Sequence, residues 1–95
     1  MKTLAEFEDS LSLNAPPGTL SIYLKALWYD GKGDWHTAHQ QVDDLADATA
    51  CWVHAYLHRK EGDTWNADYW YRKARRTRPN ISLEAEWKEI ATALM

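Results

Sequence analysis

A Gly-Asp dipeptide occurs twice in this chain, at residues 33–34 and 62–63, and each copy separates two stretches with helical spacing of apolar residues. Glycine favours the end of one helix, and aspartate favours the start of the next. An alanine follows five residues after each glycine, at Ala38 and Ala67, and the two copies are offset by 29 residues. The sequence therefore predicts a helix–turn–helix unit that is present about twice.

Other capping and breaking residues divide the rest of the chain into helices. Asn14–Gly18 and the segment 78–80 each contain proline and interrupt the helical spacing. The predicted helices cover residues 4–11, 20–30, 35–45, 48–60, 64–77 and 83–94, with N-caps at Thr3, Thr19, Asp34, Asp47, Asp63 and Ser82. Since no segment alternates as a strand does, the predicted fold class is all-α with about six helices.

The chain has 95 residues, which fits a single domain. Within that domain we predict an N-terminal capping helix and loop at 1–18 and a first repeat at 19–47. A second repeat follows at 48–79, and a C-terminal capping helix occupies 80–95.

The second repeat carries a family resemblance. The spacing of Gly62, Ala67, Tyr71, Ala74 and Pro79 resembles the second half of a tetratricopeptide (TPR) repeat. The offset of 29 residues is shorter than the usual TPR period of about 34, and two repeats are fewer than a solenoid needs. The resemblance implies antiparallel helix pairs closed at both ends by capping helices.

Three strings carry a second resemblance: GDWHTAH at 33–39, WVHAYLHRKEGD at 52–63 and NADYWYRKA at 66–74. They resemble a group of small bacterial proteins of uncharacterised function. This resemblance implies a bacterial, cytoplasmic, TPR-like domain, and it brings no activity with it.

Charge is distributed unevenly along the chain. Residues 1–50 hold three lysines and eight acidic residues, a net charge of −5, whereas residues 51–95 have a net charge of +2. The cations concentrate at Arg72, Lys73, Arg75, Arg76 and Arg78. Since the sequence pI is about 5.7, we do not expect nucleic-acid binding. An acidic and a basic half permit self-association into a homodimer or binding of an anionic peptide.

The sequence also suggests a cellular location. The first ten residues lack the apolar run of a secretory signal, and no stretch reaches 18 apolar residues. The one cysteine, Cys51, rules out an internal disulfide and a four-cysteine zinc site. We therefore expect a cytoplasmic protein that does not cross a membrane.

The TPR resemblance implies that the first helix of each pair lines a concave binding face. On the predicted helices this face presents six side chains: Tyr23, Leu27, Asp30, Trp52, Tyr56 and Arg59. Aromatic anchors beside an arginine would accept a peptide with a carboxylate or aromatic group. The leading hypothesis is therefore a non-enzymatic module that binds a protein or peptide. In the alternative, a capping helix covers this face and fills the groove.

Four histidines offer a different function. His54 and His58 lie four residues apart and share one helix face, and antiparallel packing of the preceding helix would bring His39 towards it. Neutral imidazoles in this arrangement bind zinc, nickel or copper, with Glu61 as a candidate carboxylate ligand. Histidines that only fill a helix interface would give the same spacing. We expect no cofactor from the leading hypothesis, and metal binding is its first alternative.

Catalysis has little support in the residue pattern. Cys51 lies three residues before His54, yet nothing in the sequence supplies an orienting third group, and a buried apolar cysteine explains the position equally well. The chain has neither a Gly-rich phosphate loop nor a nucleophile elbow. We therefore do not expect an enzyme, and a small-molecule binder or small enzyme built on the His- and Trp-rich interior is the second alternative.

Overall fold

The computed structural model describes residues 3–95, and within them it has six α-helices and no strand. The helices are α1 (Leu4–Ser10), α2 (Ile22–Gly31), α3 (Trp35–Val42), α4 (Ala48–Glu61), α5 (Thr64–Lys73) and α6 (Leu83–Leu94). The all-α class with about six helices is therefore confirmed. Over the same residues, no helix is long and apolar enough to cross a membrane.

Side-chain caps start every helix, because a hydroxyl or carboxylate oxygen accepts a hydrogen bond from an otherwise unpaired N–H group of the first turn. The predicted caps Thr3, Asp34, Asp47, Asp63 and Ser82 all do so. The cap predicted for α2 is wrong. Ser21, not Thr19, accepts the hydrogen bond from the Leu24 N–H, so α2 begins two residues later than predicted.

Helices α3 and α5 end three or more residues before their predicted ends, and α1 ends one residue before. Helix α3 stops at Val42 rather than at Leu45, because two aspartates follow it and negative charge disfavours a helix C-terminus. Helix α5 stops at Lys73 rather than at Thr77. Arg75 adopts a left-handed conformation with a φ of 61°, which turns the chain away from the helix axis.

The two Gly-Asp dipeptides form the same junction. Gly33 and Gly62 have φ values of 83° and 92°, a region that costs glycine little. The following aspartate N–H reaches back to a carbonyl of the preceding helix, from Asp34 to Tyr29 and from Asp63 to His58. Each junction therefore closes one helix with glycine and opens the next with aspartate, as the sequence predicts.

Helices α2 and α3 pack against each other, and so do α4 and α5. Residues related by the 29-residue offset are equally buried: Ala26 matches Ala55, and Ala38 matches Ala67. Small side chains at these positions let the paired helices approach closely. Helix α4 lies at the centre, with α2, α3, α5 and α6 all in contact with it.

Candidate metal centre

The face predicted to bind a peptide is buried. Leu27, Asp30 and Tyr56 each expose 3% or less of their surface. Helix α6 packs against both α2 and α4, and its Trp87 indole N–H donates to the Leu27 carbonyl at 3.0 Å. The expectation of an open groove at these side chains is therefore wrong, because the C-terminal helix covers them.

The polar residues of this face are partners of two buried carboxylates, Asp30 of α2 and Glu86 of α6. Asp30 accepts a hydrogen bond from the Tyr56 hydroxyl at 2.8 Å and pairs with Lys60 at 2.8 Å. Glu86, from α6, pairs with Arg59 at 2.8 Å and also accepts from Tyr71. A buried carboxylate needs such partners to offset its loss of hydration. Asp30, Tyr56 and Arg59 thus join α2, α4 and α6 to one another.

The remaining two residues of the predicted face are also engaged within the protein. Tyr23 is half-buried, and its hydroxyl donates to the α4 cap, Asp47, at 2.8 Å. Trp52 is 6% exposed, and the Arg76 guanidinium lies 3.4 Å from the centre of its ring. Both side chains therefore stabilise the junction of neighbouring helices.

The histidines on α3 and α4 do come together. His54 and His58 stack one turn apart on α4, with ring centres separated by 4.7 Å. His39, from α3, meets them, and its Nε2 lies 2.9 Å from Nε2 of His54. One ligand nitrogen from each of the three histidines lies within 4.8 Å of the other two. The pairing of α3 with α4 thus assembles the cluster that the spacing suggested.

A carboxylate fixes the orientation of one imidazole. Nδ1 of His58 lies 2.7 Å from Glu61 Oε1, so this nitrogen carries the proton and donates it to the carboxylate. Nε2 of His58 is then a free lone pair, and the Asn66 side-chain amide lies 3.4 Å from it. A carboxylate behind a histidine raises the basicity of the nitrogen that faces a metal. Glu61 therefore acts behind His58 in this cluster rather than beside it.

Two indole rings form the walls of the histidine cluster. Trp35 stacks on His39 with ring centres 4.9 Å apart, and Trp70 stacks on His54 at 4.1 Å. The Trp35 indole N–H donates to the Leu57 carbonyl at 2.8 Å, which fixes that ring. Sequence reasoning missed both tryptophans. The signal for Trp35 was its position four residues before His39, on the same face of α3.

The surroundings keep two of the imidazoles neutral. Burial is the main cause that lowers the pKa of His54 to about 3, and the neighbouring His39 and His58 contribute to the same shift. Burial also lowers the pKa of His39, with His58 as the second cause. Neutral imidazole is the form that binds a metal ion, since protonation removes the lone pair. At pH 7 both imidazoles are therefore neutral, and each has a lone pair on one of its two ring nitrogens.

The donor set fits a transition metal ion. Two imidazoles on one zinc, at a Zn–N distance of about 2.0–2.1 Å, have nitrogens about 3.4 Å apart in a tetrahedral site. The His39–His54 separation of 2.9 Å and the 4.8 Å limit for the trio bracket that value. Among the buried side-chain nitrogen and oxygen atoms of the described part of the chain, Nδ1 of His54 is the one without a hydrogen-bond partner. The separations of the three nitrogens are therefore compatible with a three-nitrogen zinc site.

Other potential ligands lie outside this trio. Glu61 and Asp63 form a second, more exposed group with His58, again with ligand atoms within 4.8 Å. Cys51 is buried, its thiol lies 3.6 Å from the Ala46 carbonyl, and burial raises its pKa. A protonated thiol is a poor ligand. The chemistry of the cluster is thus that of imidazole nitrogens.

The fold and the cluster define a small all-α protein with three converging imidazoles between α3 and α4. No protein-family model matches the chain, and no curated protein or solved structure matches it either. The assignment of a function therefore depends on the geometry of the site itself.

Proposed function

We propose that this protein binds one divalent transition metal ion, most simply Zn²⁺, through His39, His54 and His58. The observation that carries the proposal is the convergence of three imidazole nitrogens within 4.8 Å. Three protein nitrogens leave the fourth position of a tetrahedral zinc open to water or another ligand. The ion would link α3 directly to α4.

Three features of the surroundings support this proposal over a purely structural histidine cluster. Glu61 holds His58 with its Nε2 lone pair free, as a carboxylate does behind many zinc-bound histidines. Asp43 lies 3.8 Å from Nδ1 of His39 and favours the same orientation there. The side chain of His39 is 24% exposed, which gives an ion from solvent a route to the cluster.

A competitive titration tests the proposal. Zn²⁺ is added to untagged protein in the presence of a chromophoric chelator, and the stoichiometry and affinity are read from the absorbance of the chelator. We expect one equivalent to bind, and His39→Gln and His54→Gln each to weaken binding at least about tenfold. His36→Gln is the matched control, since His36 is an exposed histidine on α3.

Two results would overturn metal binding at this site. One is a wild-type protein that does not compete with the chelator. The other is a loss of affinity in His36→Gln as large as in the two cluster variants. If His54→Gln does not fold, His39→Gln still decides the question, because His39 is only half-buried.

A protein-interaction function is the second candidate, and we propose a different face for it than the TPR resemblance implies. Trp65 on α5 is 79% exposed, and Tyr69, one turn later, is 38% exposed. Exposed tryptophan and tyrosine are the residue types that dominate protein interfaces. If a second copy or a partner protein binds at this face, Trp65→Ser should abolish the association, which sedimentation measures. Ile22→Ser on α2 is the control and should leave the association unchanged.

The TPR relationship remains part of this proposal. The pairing of α2 with α3 and of α4 with α5 supports it, as do the buried alanines at equivalent positions. The cytoplasmic location and the bacterial origin stay predictions from the sequence.

A further inference from the structure

Two adjoining depressions near the C-terminal end of α5 are lined by four arginines, Arg72, Arg75, Arg76 and Arg78. The first, of about 550 Å³, is lined by Arg72, Arg75, Arg76 and Thr77. The second, of about 330 Å³, is lined by Asp68, Tyr71, Arg72, Arg76, Thr77 and Arg78. The two share Arg72, Arg76 and Thr77, so they form one continuous cationic surface.

This surface has little negative charge of its own. The acidic side chain among the lining residues is Asp68, and it already accepts a hydrogen bond from Arg78 at 2.8 Å. Within residues 3–95, Arg72, Arg75 and Arg76 take part in no ion pair. Three neighbouring guanidinium groups repel one another, so an anion between them would relieve that repulsion.

One of the three guanidinium groups is already held in place. Arg76 lies over the ring of Trp52, 3.4 Å from its centre, and Trp52 is fixed in the core. A cation over an indole face is attracted by the ring and loses side-chain freedom. Binding of an anion at Arg76 therefore requires less ordering than at a free arginine.

Arg75 occupies a position where this chain elsewhere uses glycine. Its N–H donates to the Arg72 carbonyl, and the Arg76 N–H donates to the Tyr71 carbonyl, which is the hydrogen-bond pattern of a Schellman motif. The same pattern closes α2 at Gly33 and α4 at Gly62. An arginine at a φ of 61° strains the backbone, whereas glycine there does not. A ligand for the Arg75 side chain would explain why the third junction has arginine.

The helix dipole does not account for this arrangement. A cation in the last turn of a helix interacts favourably with the helix dipole, and this explains the arginine at position 72. Arg75 and Arg76 come after α5 ends at Lys73, and the two carbonyls named above already accept backbone hydrogen bonds. A lysine at position 75 would interact with the dipole as well as arginine does, but it lacks the planar guanidinium that donates two parallel hydrogen bonds to a phosphate.

We infer that the surface formed by Arg72, Arg75, Arg76 and Thr77 binds the phosphate groups of a small phosphorylated ligand. Guanidinium groups donate paired hydrogen bonds to phosphate oxygens, and a threonine hydroxyl donates one more. The depression of about 550 Å³ is open to solvent, so a phosphorylated ligand can reach these side chains from outside. The site lies apart from the histidine cluster and does not depend on metal binding there.

Titration of the full chain with pyrophosphate at low ionic strength tests this inference, with binding followed by amide chemical shifts. We expect the largest shifts at residues 72–77 and a dissociation constant raised about tenfold in Arg72→Gln. Arg75→Gly is the most informative variant. Arg75→Gly should weaken pyrophosphate binding about as much as Arg72→Gln does, because it removes a guanidinium group. It should also raise the melting temperature, because it removes the backbone strain.

Lys88→Gln is the control, since it removes one positive charge from α6, outside both depressions. Adenosine diphosphate is compared with pyrophosphate. Equal affinity supports recognition of the phosphates alone, and tighter binding of the nucleotide supports a nucleotide-type ligand. The inference is overturned if pyrophosphate does not bind, or if Lys88→Gln weakens it as much as Arg72→Gln does. It is also overturned if a single-stranded oligonucleotide binds far more tightly per phosphate than pyrophosphate, since the partner would then be a nucleic acid.

Discussion

Lowering the pH from 7 to 5 should destabilise the metal-free protein, because His54 is buried as a neutral imidazole. Its side chain is 4% exposed, and burial beside two other histidines lowers its pKa to about 3. In the unfolded chain a histidine has a pKa of about 6.5. Between these two values the unfolded chain binds more protons than the folded chain, so stability falls as the pH drops below about 6.5.

The size of the effect follows from the two pKa values. One pKa unit corresponds to about 1.36 kcal/mol, and pH 5 lies about 1.5 units below the unfolded pKa. His54 alone should therefore lower the free energy of unfolding by about 2 kcal/mol between pH 7 and pH 5. For a domain of this size the melting temperature would fall by roughly 8–16 °C. His39 adds to the loss in the same direction, since its pKa is also lowered.

Urea denaturation at pH 7, 6 and 5 in the presence of a chelator measures this effect. Unfolded carboxylates titrate near pH 4, so they contribute little in this window. His54→Gln should lose most of the pH dependence, whereas His36→Gln, at an exposed site, should keep it. The reasoning is refuted if the wild type is equally stable at pH 7 and pH 5. It is also refuted if His36→Gln removes as much pH dependence as His54→Gln.

Two further substitutions test the packing that positions the site. Arg59→Met leaves the buried Glu86 carboxylate without its cation and should cost about 3–5 kcal/mol in urea denaturation. Arg78→Met breaks an exposed ion pair and should cost less than about 1 kcal/mol; equal losses would contradict the assigned burial. Ala67→Leu should cost about 1–3 kcal/mol because it forces α4 and α5 apart, whereas Ala93→Leu, at an exposed position, should cost little in the same assay.

Local features of the sequence predicted most of the fold. Side-chain caps and the Gly-Asp junctions act within a few residues, so the order of the helices and most of their starts could be predicted. The early end of α5 could not, because it depends on a left-handed arginine where the chain gave no glycine signal. The sequence also left the N-cap of α2 ambiguous, because threonine at position 19 and serine at position 21 are both favourable N-cap residues.

The orientation of α4 was beyond local reasoning. Nine consecutive residues of α4, from Ala50 to His58, are buried, so the helix has no polar stripe that marks an outward face. Helical spacing therefore gave no means to decide whether Trp52 and Tyr56 face solvent or α6. That choice depends on where the last helix packs, which is a long-range property of the chain.

The histidine cluster could be predicted only in part from the sequence. The shared face of His54 and His58 follows from their spacing, whereas the approach of His39 depends on how α3 packs against α4. The sequence indicated less clearly which side chains contact the imidazoles. Glu61 lies three residues after His58 and was expected as a ligand, but the geometry puts it behind the ring. Trp70 meets His54 only because α5 folds back along α4.

X-ray absorption at the zinc edge of the Zn²⁺-loaded, untagged protein tests the central claim most directly, because it identifies the ligand atoms around the metal ion. Three converging imidazoles predict about three nitrogen ligands at about 2.0–2.1 Å, with the outer-shell pattern of histidine rings. His39→Gln should reduce that pattern. A sulfur ligand at about 2.3 Å, or a shell of oxygens without imidazole features, would contradict binding by His39, His54 and His58.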